Sequence, residues 1–234
     1  MKYRLFINIL SILISGCKRN DAIIKNPDSQ PVVRNCITST QIPPGYPLSS
    51  LNLIDYNNSH CGYMPLGKKN FWVYLDSIYD NNGLFMETRL DTLRFIKTYQ
   101  SPDSIIWWTP NTFIGFLKYN YSTDSALYTL GSRWGYGLSL KWVYSISTDS
   151  TREDCAYSDY PTECKAWKIN NPVIVPAGTF QNCYWYSKIW LLAQTIDFYF
   201  KPGVGVLKFW FYYRSPTGII TPLKTSTLLS YYFE

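Results

Sequence analysis

The chain alternates short apolar and aromatic runs with turn-forming residues over most of its length. The run at 71–79 is rich in β-branched and aromatic residues, and Asn82-Gly83 follows it closely. Asn-Gly between two strand-like runs is a strong hairpin signal, because both positions tolerate a positive φ. The pattern therefore predicts a hairpin whose return strand covers 85–95.

Further runs of the same kind predict strands along the rest of the chain. No window of a dozen residues keeps a helical period with good helix formers. Turn signals recur about every ten residues, which is the spacing of an antiparallel sandwich or barrel. The fold class expected is all-β, a curved antiparallel sheet forming a half-open barrel. The further predicted strands are 104–109, 112–119, 126–130, 138–147, 165–169, 173–175, 180–190, 195–201, 204–213 and 223–233.

The segment before the first long strand has a different texture. Residues 36–70 carry many Pro and Gly, which predicts an irregular lead-in with one short helical turn near 49–54. Residues 17–35 are mostly polar, which is typical of a tether. Because no interior linker or repeat interrupts the strand pattern, we expect a single β-rich domain over 36–234.

The extreme N-terminus is typical of a secretion signal. Lys2 and Arg4 precede an apolar run over 5–14. Ten residues are too few to span a bilayer, which needs about 20. We therefore expect residues 1–16 to be a signal peptide.

The four residues Ile14-Ser15-Gly16-Cys17 resemble the bacterial lipoprotein box. The resemblance implies cleavage before Cys17 and attachment of fatty acyl chains such as palmitate to that residue. Lys18, rather than Asp, follows the cysteine, which by the family's rule implies the outer membrane of a bacterial cell envelope. The expected partner is thus the membrane, through the N-terminal lipid; an ordinary signal peptide with an unmodified cysteine is the alternative.

Composition excludes several classes of function. The chain has a net charge of +6, 18% aromatic residues and 16% charged residues. The charged fraction is below the roughly 25% of average domains, unlike a disordered chain. No basic stripe is interleaved with aromatics, so nucleic acid is not an expected partner.

The residues needed for the common catalytic and metal sites are scarce. His60 is the only histidine, which argues against Ser-His-Asp and Cys-His chemistry and against zinc. No phosphate-binding loop is present in the sequence. The carboxylates between 149 and 163 fall in a Ser/Thr/Tyr/Pro-rich stretch typical of an exposed loop. We therefore expect no enzymatic activity, no cofactor and no metal.

Five cysteines remain beyond the lipid-box cysteine. In an oxidising envelope disulfides are the default. Cys155 and Cys164 enclose a polar loop between strands and form the first expected pair; Cys36 and Cys61 form a second pair in the lead-in. Cys183 lies inside an aromatic strand and is expected to be a buried free thiol, although its participation in a different pair stays open.

Two turn motifs stand out near the C-terminus. In Val175-Pro176-Ala177-Gly178, proline and glycine occupy the positions preferred in a type I turn. In Gly203-Val204-Gly205, the glycines indicate positive φ or close backbone approach. These four motif residues, Pro176, Gly178, Gly203 and Gly205, are expected to be structural.

With its flanking strands, the chain resembles a group of uncharacterised bacterial envelope proteins. The shared features are the V-P-A-G-T-F hairpin and the later G-V-G strand, and the resemblance covers 71–95 and 172–233. This group is similar to the lipoprotein-carrier fold. The resemblance implies a sheet curved around an apolar concave face. Because the group has no assigned activity, the resemblance implies nothing about what the protein does.

The aromatic excess is the remaining functional signal. Alternate strand side chains point to opposite faces, so about half of the aromatics point away from any one core. We expect Trp142 and Trp210 to contact a ligand on the concave face. The function expected is an outer-membrane lipoprotein that binds an apolar or amphiphilic molecule, or a partner protein of the envelope, without catalysis. The alternative is a carbohydrate-binding lipoprotein that uses exposed aromatics.

Overall fold

The structure is a computed structural model that describes residues 50–58, 62–101, 104–110, 118–132, 138–145, 163–189 and 194–234. These residues form fifteen strands and no α-helix. No helix in these ranges is long and apolar enough to cross a membrane.

The strands are numbered in chain order. They are β1 Asn52–Ile54, β2 Phe71–Tyr79, β3 Phe85–Arg94, β4 Lys97–Gln100, β5 Ile105–Trp108, β6 Tyr119–Ser122, β7 Ala126–Ser132, β8 Leu138–Ser145, β9 Glu163–Ile169, β10 Val173–Val175, β11 Gly178–Phe180, β12 Cys183–Ile189, β13 Gln194–Lys201, β14 Gly205–Arg214 and β15 Ile220–Tyr232.

These strands form open antiparallel sheets, which confirms the all-β prediction. The larger sheet has seven strands in the order β3-β2-β15-β14-β13-β12-β9. A second sheet has six strands in the order β1-β4-β5-β6-β7-β8, and β10 and β11 form a separate hairpin. The predicted strands are therefore divided between two large sheets.

The β2–β3 hairpin forms where Asn82-Gly83 predicted it. The Asp80 carboxylate accepts hydrogen bonds from the backbone N–H groups of Leu84 and Asn82, at 2.8 and 2.9 Å. The Leu84 N–H is the main reason why the pKa of Asp80 is lowered. Gly83 has a φ of 80°, a conformation that favours glycine.

The seven-stranded sheet has an inner face, which packs into the core, and an outer face. Along β2, Trp72, Tyr74 and Asp76 are buried and alternate with more exposed residues. Phe198 and Phe200 of β13 are buried on the same face. The main core cluster joins this inner face to Trp107 and Leu127 of the six-stranded sheet, so the two sheets share one core.

Residues 62–67, the crossing segment, run between the two sheets. The Tyr63 N–H donates to the Thr123 carbonyl at 2.6 Å, and the Tyr63 carbonyl accepts from the Gly203 N–H at 2.9 Å. Tyr63, Met64 and Leu66 are fully buried in the core. The segment is irregular, as predicted, but it also fills the interior of the fold.

Two local details differ from the prediction. Ser50 lies in a 3₁₀ turn, but the later part of the helical turn expected near 49–54 is instead the strand β1, which pairs with β4. β4 was itself not predicted from the sequence. Both strands are short, so neither contains enough residues to show an alternating pattern.

Candidate functional site

The aromatic part of the inner face is filled by the protein itself. Tyr186, Phe198, Phe200 and Phe209 are at most 6% exposed. Tyr63 of the crossing segment stacks on Phe200, with ring centroids 4.7 Å apart and planes 5° apart. The sequence predicted an open apolar face, but at these aromatic residues the inner face is covered by other side chains of the protein.

A charged cluster around the buried Asp76 continues the inner face towards β3. The side chain of Asp76 is fully buried and accepts a hydrogen bond from the Ser226 hydroxyl at 2.6 Å. Lys224 Nζ lies 2.7 Å from Asp76 Oδ2, and Arg89 Nε lies 3.6 Å from the same oxygen. Burial of an isolated carboxylate is unfavourable, so these partners are what allow the Asp76 side chain to be buried on the inner face of the sheet.

The outer face of the same sheet carries a different set of aromatics. Four half-buried rings lie on four consecutive strands, and we call them the aromatic row: Trp167 on β9, Trp185 on β12, Tyr199 on β13 and Trp210 on β14. Register places Trp185 directly opposite both Trp167 and Tyr199. Trp210 lies opposite Asp197 and is therefore diagonal to Tyr199.

The rings of the row contact one another in pairs. Trp167 and Trp185 stack with centroids 4.5 Å apart and planes 21° apart. Tyr199 and Trp210 meet edge to face, with centroids 5.2 Å apart and planes 82° apart. Because neighbouring strands are about 4.8 Å apart, the four strands span about 15 Å. The row is thus a shallow strip of aromatic surface about as long as a short oligosaccharide.

Polar groups adjoin this strip. Asp197 lies directly opposite Ser187 and Trp210. Its Oδ2 accepts a hydrogen bond from the Tyr212 hydroxyl at 2.8 Å, whereas its Oδ1 is buried with no hydrogen-bond partner among the described residues. Burial, and then the hydrogen bond to Asp197, raise the pKa of Tyr212. Lys208 lies opposite Tyr199, so the strip offers both donors and acceptors.

The two tryptophans expected to share a ligand lie in different sheets. Trp210 belongs to the aromatic row, on the outer face, while its neighbour Phe209 points into the core. Trp142 lies in β8 of the six-stranded sheet, opposite Thr129, and its side chain is outside the described set. The expectation that both line one concave face therefore has no support in the described contacts.

The sequence did not bring Trp167 and Tyr199 together with Trp185. They are far apart along the chain, and only the register of the strand pairs aligns them. The signal available in the sequence was the presence of three consecutive aromatic residues in a predicted strand, Tyr184-Trp185-Tyr186 and Phe198-Tyr199-Phe200. It shows that one aromatic of each triplet points away from its neighbours, but not which strands lie side by side.

Most of the predicted cysteine chemistry lies outside the described residues. This holds for Cys17, Cys36, Cys61 and Cys155; Cys164 lies in β9 opposite Lys188.

Cys183 is buried and free. Its thiol donates to the Phe180 carbonyl at 3.3 Å. Burial raises the pKa of Cys183 to about 11, with the nearby Lys201 charge acting in the opposite direction. The side chain is therefore a protonated core residue at neutral pH.

The turn residues have the geometry that their types favour. Pro176 and Ala177 connect β10 to β11, and Val175 lies opposite Gly178. Gly203 and Gly205 have φ values of 78° and 116°. At Gly205 an added Cβ would lie 3.2 Å from Trp72 Nε1 and 3.3 Å from Met64 Cε. Gly205 therefore combines a positive φ with close packing, which explains the glycine.

The described ranges offer no ready metal site. Within them, no group of three or more His, Cys, Asp or Glu side chains could hold a metal ion. His60 lies outside those ranges.

Comparison with known proteins gives only distant likenesses. No known family profile matches the sequence, and no curated protein matches it. A solved structure from Bacteroides fragilis NCTC 9343, provisionally described as an exported protein with a YmcC-like fold, is 10% identical with a TM-score of 0.41, covering 74% of this chain and 100% of that chain. A second, from Parabacteroides distasonis ATCC 8503, provisionally described as a lipoprotein, is 11% identical with a TM-score of 0.35, covering 74% of this chain and 99% of that chain.

Proposed function

We propose that the protein is a lipoprotein of the bacterial envelope that recognises a carbohydrate, without catalysis, through the aromatic row. The observation that carries the proposal is the side-by-side placement of Trp167, Trp185, Tyr199 and Trp210 on the outer face. Flat aromatic rings offer large contact areas at a small loss of side-chain freedom, and they pack against the apolar C–H faces of sugar rings.

The polar neighbours support a sugar over a purely apolar ligand. Asp197, which is half-buried as a residue, supplies a carboxylate opposite Trp210. Lys208 adds donors opposite Tyr199. A ligand that presents hydroxyl groups along one edge can satisfy such groups while its apolar face stacks on the rings.

The contrast between the two faces of the sheet favours this account over an internal carrier. The inner-face aromatics are covered by Tyr63 and its neighbours in the crossing segment. The rings of the outer row are half-buried and so retain accessible surface. The envelope location and the lipid at Cys17 are part of the proposal, and they rest on the leader and the lipid box.

Binding to envelope polysaccharides tests the proposal. The wild-type protein is compared with Trp185→Ala by affinity electrophoresis through gels that contain each polysaccharide, and by tryptophan fluorescence titration. We expect Trp185→Ala to weaken binding by at least about tenfold, because aromatic residues at the centre of an interface contribute about 2 kcal/mol or more.

Trp108→Ala is the matched control. Trp108 is also half-buried in a strand, but it lies in the six-stranded sheet, where Lys97 Nζ is 4.9 Å from its ring centroid. We expect this variant to bind like wild type. An equal loss of polysaccharide affinity in both variants would rule out the aromatic row as the recognition surface. Wild-type affinity in Trp185→Ala would also rule it out.

A further inference from the structure

β3 is the terminal strand of the seven-stranded sheet, and its first half is exposed. In the described part of the chain it pairs only with β2. Every residue from Phe85 to Leu90 is exposed, with Met86 at 64% and Leu90 at 67%. A long edge strand with unpaired backbone groups is a template for pairing with another strand.

The sequence of this strand is complementary to itself. We propose that β3 pairs antiparallel with β3 of a second copy of this chain, with Thr88 opposite Thr88 of that copy. In this register Glu87 of each copy lies opposite Arg89 of the other. Met86 of each copy likewise lies opposite Leu90 of the other. Two opposite-charge pairs and two apolar pairs then flank the symmetry axis.

The neighbouring registers are unfavourable. When a strand pairs antiparallel with a second copy of itself, opposed side chains must lie on the same face of the sheet. The allowed registers are therefore those in which the symmetry axis passes through a residue, and neighbouring registers differ by one residue in the position of that axis. Shifting the centre to Glu87 places Glu87 opposite itself. Shifting it to Arg89 places Arg89 opposite itself and Glu87 opposite Asp91. Because like charges directly opposite each other destabilise a sheet, the register centred on Thr88 is favoured over both of these neighbours.

The proposed pairing also continues the side-chain rows that already cross the sheet. Asp76 lies opposite Arg89, Leu75 opposite Leu90, and Ser77 opposite Thr88. The second copy adds Glu87 to the row of Asp76 and Arg89. It adds Met86 to the row of Leu75 and Leu90, and Thr88 to the row of Ser77 and Thr88. Leu90, which is 67% exposed, then gains Met86 of the second copy as an apolar neighbour.

Cysteine cross-linking in intact cells tests this pairing in the full-length protein. Opposed residues of an antiparallel pair have Cα atoms about 4.5–5.5 Å apart, within the range that a disulfide bridges. We expect Thr88→Cys to form a cross-linked dimer under mild oxidation, with the joined residue-88 peptides identified by mass spectrometry. Glu87→Cys and Arg89→Cys serve as register controls and should cross-link at least about fivefold more slowly, because their self-distances are about 7–8 Å.

A charge variant then tests the complementarity. In the Thr88→Cys background, we expect Glu87→Arg to lower the cross-linking rate by about tenfold, since two attractive pairs become repulsive. Asp124→Arg changes the net charge by the same amount at an exposed turn of the other sheet and should have no effect. Absence of the residue-88 cross-link in folded protein, equal rates at 87, 88 and 89, or insensitivity to Glu87→Arg would each overturn the proposal.

Discussion

Two buried side chains of β2 bond to the backbone of the β13–β14 turn, close to the crossing segment. Trp72 Nε1 donates to the Val204 carbonyl at 2.6 Å, and the Tyr74 hydroxyl donates to the Val206 carbonyl at 3.0 Å. These bonds satisfy two buried polar groups of β2 and fix the β13–β14 turn against the core. Gly205 lies between those carbonyls, so its environment is determined on all sides.

Gly205→Ala should destabilise the fold more than Gly203→Ala. Both glycines have positive φ, but only Gly205 has neighbours, Trp72 and Met64, that a Cβ would press against. We expect losses of about 3 kcal/mol at Gly205 and about 1 kcal/mol at Gly203 in the free energy of unfolding. Urea unfolding followed by tryptophan fluorescence measures both; equal losses would show that the packing at Gly205 is irrelevant.

Cys183 should behave as an inert thiol. With a pKa of about 11, almost all of it is protonated at pH 8. We expect iodoacetamide to leave Cys183 unmodified in folded protein and to modify it in urea, as read by peptide mass mapping. Rapid labelling of the folded protein would contradict this assignment.

The raised pKa of Cys183 also gives a pH dependence of stability. The unfolded thiol has a pKa of about 8.5, below the folded value of about 11. The thiol's contribution to stability is therefore complete below about pH 8.5 and is lost as the pH rises towards about 11. Urea unfolding at several alkaline pH values, compared with Cys183→Ala, measures this loss.

At the scale of elements, strands that carry their own pattern could be predicted, and strands that depend on distant partners could not. β2 begins and ends at the predicted residues, 71 and 79, because a dense aromatic run precedes a strong turn. β1 has three residues and β4 has four; β1 pairs with β4, and β4 pairs on its other side with β5. The split of the strands into two sheets depends in the same way on long-range pairing.

The candidate site could likewise be predicted only in part from the sequence. The sequence indicated that Trp185 and Trp210 lie in strands with mixed faces. It could not show that β9, β12, β13 and β14 are consecutive in one sheet. Nor could it show that an irregular segment far upstream in the chain would cover the opposite face, because such a segment has no periodicity that reveals burial.

The crossing segment should be essential to the shared core. Tyr63→Ala removes a ring that stacks on Phe200 and a hydroxyl bonded to Tyr186. We expect a loss of about 4 kcal/mol in the free energy of unfolding, and new binding of an apolar dye at the opened inner face. Tyr63→Phe keeps the ring and should lose only about 1 kcal/mol. Unchanged stability of Tyr63→Ala would show that the segment merely lies beside the core.

At the scale of the whole molecule, the two proposals assign different parts of the seven-stranded sheet to different tasks. The aromatic row occupies the outer face of β9, β12, β13 and β14, while the proposed self-pairing uses the free edge of β3 at the other end. Strands β2 and β15 separate the two regions. A second copy paired at β3 therefore leaves both aromatic rows accessible, and the paired molecule would present two recognition surfaces.

The proposed lipid anchor and the folded domain are separated by a length of chain that bears on where the recognition surfaces can lie. The first residue that the structure describes is Ser50, and 32 residues, 18–49, lie between it and Cys17. A chain of that length reaches at most about 110 Å when extended. The aromatic rows could therefore contact polysaccharide within that distance of the membrane surface.

Attachment to the membrane should depend on Cys17, which follows a short apolar leader and closes the Ile-Ser-Gly-Cys box. Several acyl chains on one cysteine bind a bilayer firmly, because each buried CH₂ contributes about 0.8 kcal/mol. We therefore expect Cys17→Ala to move the protein from the membrane fraction to the soluble fraction, with the fold unchanged by circular dichroism. Ser15→Ala, which keeps a small residue in the box, is the matched control and should stay in the membrane. If Cys17→Ala remains in the membrane fraction and the wild-type N-terminal peptide carries no acyl mass, the lipid anchor is wrong and another feature of the chain must account for its location.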